Sequence, residues 1–134
     1  MMAAMRSWLP LTLHALFIFW ASSLSHPAEY FPAIIFGVND KVLHAFLYAV
    51  FGILLYRAIL CAGISIINPL LLAMLGSGMY AASDEWHQLF VPLRNADGWD
   101  VLADILGASV GIYSWRELIA TKPMVDSLTP GEVR

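Results

Sequence analysis

Apolar residues fall in four long runs, separated by short clusters of polar residues, proline and glycine. The first run covers about residues 8–24 (WLPLTLHALFIFWASSL) and is preceded by Arg6. The second opens at Asn39 or Asp40, either of which can cap a helix, and continues through KVLHAFLYAVFGILLYRAIL to about residue 60. Asn68 followed by Pro69 joins a capping side chain to a first-turn proline, so a third helix is predicted over residues 69–90, its last turns carrying SDEWHQ. After the polar loop VPLRNADG, a fourth is predicted from about Trp99 to Arg116 (residues 99–116). Between residues 25 and 39, Pro27 and Pro32 interrupt any long helix while Tyr30, Phe31 and Phe36 suit a headgroup zone, so this segment reads as an interfacial connector. The tail, residues 121–134, is polar, holds two prolines and reads as a disordered cytoplasmic segment.

A bilayer span needs about 20 mostly apolar residues, which each run approaches. The predicted fold is all-α: a polytopic membrane protein, a four-transmembrane-helix bundle forming one domain over residues 1–120. Composition strengthens this reading. Of 134 residues, 60% are hydrophobic and 13% charged, with a mean hydropathy of +0.71. A soluble domain of this size seldom carries so little charge. The net charge of −3 offers no basic stripe, which argues against nucleic acid as a partner. Cys61 stands alone, excluding an intramolecular disulfide or a Cys-rich metal site, and is expected to pack as a small apolar residue near a loop. The first run also matches a signal peptide, but His14, Trp20 and its aromatic bulk suit a retained helix better.

Threading the runs alternately through a membrane puts Arg6, Arg57, Arg116, Lys122 and Arg134 on one side and Lys41 and Arg94 on the other. The positive-inside rule then predicts cytoplasmic N and C termini. Trp8 and Trp115 fall near the inner interface, Trp86 and Trp99 near the outer one. The carboxylates of Glu29, Asp40, Asp84, Glu85, Asp97, Asp100 and Asp104 all sort outward.

Three stripes carry the candidate chemistry. Lys41, His44 and Tyr48 share one face of the second helix; Tyr80, Asp84, His87 and Gln88 one face of the third; Asp100, Asp104, Gly107 and Gly111 one face of the fourth. His44, Asp84 and Asp104 lie at similar depth. An ionisable group facing lipid there costs at least about 2.5 to 3.5 kcal/mol, so these residues are expected to turn inward around a shared polar pocket. The glycines, spaced as in GxxxG, permit close approach of a neighbouring helix.

The segments DKVLHAFLYAVFG (residues 40–52) and YAASDEWHQLFVPLRNADGWDVLADILGASVG (residues 80–111) resemble the two signatures of the VanZ-like membrane protein family. The elements DK..H...Y and SDE.HQ.F.P.R.....D.L.D..G occur in this order on adjacent spans. The resemblance implies a multi-pass protein of the bacterial cytoplasmic membrane, named for a link to low-level teicoplanin resistance, without a settled activity. This chain departs from the family at Asp104, where Asn is frequent, and near Leu93, where Gly is frequent. The first departure adds a negative charge to the pocket; the second is expected to matter only to the loop.

Each candidate also has a plainer role. Asp40 and Asp97 are expected to act as helix caps, and Asp100 serves equally well as cap or pocket residue. Lys41 and Arg94 either pair with carboxylates and lipid headgroups or bind an anionic group, for which Arg94 suits a bidentate contact. His44, Asp84, His87 and Asp104 form a ligand set for zinc or manganese, or else a hydrogen-bonded network that fixes helix register; the second is favoured because no dense ligand motif is present. His14 is expected to be a satisfied packing histidine, and Glu85 and Trp86 to meet the interface. The sequence names no particular cofactor and leaves metal binding open.

Function therefore divides between an envelope factor that binds or modifies a lipid-linked or cell-wall component and a non-catalytic structural or accessory subunit, with the Gly107/Gly111 face available to a homo- or hetero-oligomeric partner. In the enzyme form of the first reading, His44 or His87 is the general base, oriented by Asp84 or Asp104. A transport pathway is disfavoured because the ionisable residues cluster at one end.

Overall fold

Capping side chains set where the helices begin. In the computed structural model, Asn39 accepts a hydrogen bond from the Lys41 backbone N–H at 3.0 Å, and Asn68 accepts one from Leu70 at 2.9 Å with Pro69 in the first turn behind it. Asp97 accepts from the Trp99 N–H at 2.9 Å. Each satisfies a donor that a helix start leaves without a partner. The structure describes residues 2–26, 29–30, 39–64 and 68–128, and among these there are four helices and no strand. They are α1 (Met2–Ser22), α2 (Asp40–Ala62), α3 (Pro69–Gln88) and α4 (Gly98–Leu128).

Two sequence expectations about caps and ends need correction. Asn39, not Asp40, caps α2; Asp40 occupies the first helical turn, where a carboxylate favours the helix dipole. The fourth helix does not stop at Arg116 but continues through Pro123 to Leu128, so the tail expected to be disordered is helical as far as that residue. Arg116, Glu117, Leu118, Ala120 and Lys122 are good or fair helix formers, which accounts for the extension. Residues 129–134 lie outside the described residues, as does most of the expected connector over residues 25–39. α2 ends at Gly63, whose φ of 65° is the left-handed conformation that glycine adopts without a Cβ clash.

α2 and α4 pack most extensively, and they run parallel. Their register is set by a seam of small residues: a Cβ on Gly107 would strike the Ala45 carbonyl and one on Gly111 the Ala49 carbonyl, while one on Gly52 would lie 2.8 Å from the Ala108 carbonyl. The close approach of a neighbouring helix predicted for the glycine face thus occurs, and the neighbour is α2. At Gly107 and Gly111 that face is covered by α2. On α3 the buried residues Ala73, Ser77, Ala81, Asp84 and Glu85, and Gln88 form a narrow line along the helix. α1 contributes Leu11, Ile18 and Ser22.

The core is divided by polarity along the bundle axis. Tyr56, Ile59, Ala73 and Ile112 fill one half. Leu11, Ile18, Tyr48, Phe51, Ala81 and Ala108 fill the middle, with Phe51 and Tyr80 stacked at 4.7 Å between ring centres. Beyond that aromatic layer the buried residues are mostly polar (Ser22, His44, Asp84, Glu85, Gln88, Asp100 and Asp104), with Val91 the apolar exception. The outside is the reverse, since Leu13, Phe46, Met79, Val110 and Leu118 are all exposed. Cys61 is exposed as well, contrary to the packed position expected of it.

Among the described helices, α2 alone is long and apolar enough by itself to cross a membrane, with a mean hydropathy of 2.0 in its most apolar window. The other three carry Arg6 and His14, the SDEWHQ turns, or Asp100 and Asp104, and these polar groups lower their hydropathy.

Candidate functional site

The C-terminal ends of α1 and α3 meet the N-terminal ends of α2 and α4, so one end of the bundle collects the polar residues of all four helices. At the rim, the Lys41 ammonium donates to Asp97 at 2.8 Å and to Asp100 at 2.7 Å, tying the start of α2 to the start of α4. The hydrogen bond from Lys41, followed by that from the Trp99 N–H, holds the Asp97 carboxyl below the ordinary carboxylate range. Lys41 is therefore committed to two carboxylates rather than free for an anionic group. Arg94 donates to Gln88 Oε1 at 3.0 Å and has no ion pair among the described residues.

One turn deeper, His44 Nδ1 and Asp104 Oδ1 are 3.1 Å apart, with His44 9% and Asp104 1% exposed. With the proton on Nδ1, the ring donates to Asp104 and keeps a lone pair on Nε2, able to accept a proton or to ligate an ion. Asp84 accepts from Ser22 Oγ at 2.9 Å and lies within electrostatic reach of Asp104, His44 and His87. His87 itself turns toward α1, with Nε2 at 3.0 Å from Ser23 Oγ and its ring 4.5 Å from that of Phe19. The two histidines thus attend to different helix pairs.

Tyr48 and Tyr80, read on the stripes of two different helices, lie 6.2 Å apart between ring centres and divide in role. The Tyr80 hydroxyl donates to the Ala15 carbonyl at 2.7 Å and is spent on α1. Tyr48, 1% exposed, keeps a buried hydroxyl without a partner. Asp84 Oδ1, Glu85 Oε2, Gln88 Nε2 and Asp104 Oδ2 are also buried without a hydrogen-bond partner. Buried polar groups are otherwise almost always satisfied, and five of these atoms lie at one end of the bundle, with Ser77 Oγ a sixth farther along α3.

Sequence reasoning missed Glu85. It lies off the Asp84 stripe and was expected at the interface, yet it is buried, accepting from the Asp97 backbone N–H, which fastens the loop before α4 onto α3. Trp86 does face outward as expected. His14 is satisfied by the Leu47 carbonyl at 2.9 Å, in its expected packing role. The four residues read as a ligand set (His44, Asp84, His87 and Asp104) do not converge on one point. Among the described residues, the three-member group with metal-ligand spacing is Asp40, His44 and Asp100.

Leu93, in the loop beside Arg94, has a φ of 64°, a left-handed conformation that glycine adopts more readily than leucine. No curated protein and no solved structure is detectably similar to the chain. The VanZ/LLP1 family model matches residues 4–120, which takes in every residue of the polar end and all four helices apart from the first residues of α1 and the last eight of α4. Together with the DK..H...Y and SDE.HQ elements converging at that end, this match establishes that the chain belongs to the VanZ/LLP1 family.

Proposed function

We propose that the chain is a multi-pass protein of the bacterial cytoplasmic membrane, its four helices crossing in alternation with both termini inside. Its polar end lies beneath the outer surface and binds the polar headgroup of a lipid-linked or cell-wall component. The observation that carries this reading is the inversion of polarity: large apolar side chains cover the outside, while five buried polar atoms at one end stand without partners. A water-soluble protein rarely exposes so much continuous apolar surface, and a lipid-facing one has reason to gather its ionisable groups inside. Orientation follows from Arg6, Arg57 and Arg116 at the opposite end, where Arg57 lies over the Trp115 ring at 5.1 Å. α1 supplies Ser22 to Asp84 and Ser23 to His87, which supports its retention as a span.

The unpartnered atoms comprise three carboxylate oxygens, an amide nitrogen and a phenol, a set that suits a headgroup bearing hydroxyl and amide groups. An outward position is where glycopeptide antibiotics and cell-wall precursors meet, which is compatible with the resistance link implied by the family. The test is native mass spectrometry of the purified protein with its co-purified lipids. Loss of a bound species in Asp84→Asn/Gln88→Ala, at unchanged membrane abundance, supports the binding reading.

A second reading, an accessory subunit without a ligand, draws support from the groups that tie helices together: Lys41 with Asp97 and Asp100, His44 with Asp104, and Ser22 with Asp84. It predicts that the same substitutions lower abundance and leave no bound species to lose.

A further inference from the structure

Asp40 and His44 are one turn apart on α2, and Asp100 opens α4 beside them. One ligand-capable atom from each lies within 4.8 Å of the others. Two carboxylates and an imidazole so placed are common on protein surfaces without an ion. What distinguishes this group is what stands behind His44: the Asp104 carboxylate, 1% exposed, has one oxygen on His44 Nδ1 and its other oxygen without any partner. A carboxylate on the far nitrogen of a histidine fixes the tautomer that presents Nε2 to a metal.

Charge points the same way. Four carboxylates, Asp40, Asp97, Asp100 and Asp104, gather around the start of α2 and α4 with the single ammonium of Lys41, which is engaged by Asp97 and by Oδ1 of Asp100. That leaves Asp100 Oδ2, Asp40 and His44 Nε2 for a further cation. We propose that Asp40, His44 and Asp100 form a divalent-cation site of the manganese or zinc class, with Asp104 as a positioning residue that orients His44. Water completes the coordination, and with metal–ligand bonds of about 2.0 to 2.2 Å the exposed Asp40 side chain closes onto the ion. The site does not depend on which headgroup, if any, the buried centre takes.

The test uses the full chain in detergent, stripped with chelator and titrated with manganese(II), free ion being read by electron paramagnetic resonance. Wild type is expected to bind one equivalent and to release it to zinc. Asp40 is exposed, so Asp40→Asn keeps the fold and is expected to weaken binding at least ~10-fold, whereas His26→Gln, at an exposed histidine outside the site, leaves it unchanged. The spin-echo modulation of a bound imidazole nitrogen is expected in wild type and in Asp104→Asn, where affinity falls ~10- to 100-fold, and is lost in His44→Gln. Absence of manganese and zinc binding by wild type, or binding indifferent to Asp40→Asn, overturns the proposal.

Discussion

Lys41 sits between two carboxylates of unlike surroundings, the half-exposed Asp97 and the buried Asp100. Because Asp97 is held below the ordinary carboxylate value, the folded protein binds its proton less readily than the unfolded chain does. Its stabilising contribution is therefore complete above about pH 4, the unfolded value, and is lost as pH falls through the lowered folded value. Thermal unfolding of wild type and Asp97→Asn in detergent is expected to differ at neutral pH and to converge in acid. Leu93 offers a second check. It is 74% exposed and holds a left-handed backbone that costs a non-glycine residue about 1 to 2 kcal/mol, so Leu93→Gly should raise the melting temperature despite the flexibility glycine adds to the unfolded chain. His44, Asp84 and Asp104 were legible in the sequence because helical spacing shows which residues share a face. Their partners were not, because spacing does not say which helix that face meets. Glu85 escaped for a related reason: α3 is covered on two sides, by α1 at Asp84 and by the loop before α4 at Glu85.

Between elements, the decisive contact is the parallel pair α2 and α4, where a backbone lies directly over each of two glycines. Gly107→Val is expected to abolish the folded bundle or lower its melting temperature steeply, since the side chain can be housed only by moving a helix. Gly78 is the contrasting case. A Cβ there meets Ile105 at an ordinary 3.8 Å, so Gly78→Ala should gain about 0.5 to 1 kcal/mol from helix propensity, read as a higher melting point. The glycine spacing on α4 announced this seam, but Ala45 and Ala49 on α2 did not, because alanine is unremarked in an apolar helix. Helix starts were legible to within a residue or two at Asn39, Asn68 and Asp97, where capping chemistry is local. The end of α4 was not, because Thr121 and Pro123 read as a stop although the helix continues through both to Leu128.

At the scale of the molecule, polarity is sorted twice: apolar outside against polar inside, and the acid-rich polar end against Arg6, Arg57 and Arg116 at the other. On the proposed reading, the first sorting turns a hydrophobic surface toward lipid and the second sets the direction of the bundle. Four apolar runs were enough to foresee four helices. The distribution of their polar groups, which leaves α2 alone with an unbroken apolar span, shows why composition by itself does not settle how many of them cross. The most direct measurement is labelling of single cysteines in spheroplasts with a membrane-impermeant maleimide. It compares the native Cys61, exposed at the end of α2, with Asn95→Cys in a Cys61→Ala background, exposed in the loop before α4. Membrane-bound protein in which Asn95→Cys is labelled in intact spheroplasts, and Cys61 only after lysis, is the expected result. Labelling of both from the same side, or recovery of the chain in the soluble fraction, would contradict the account.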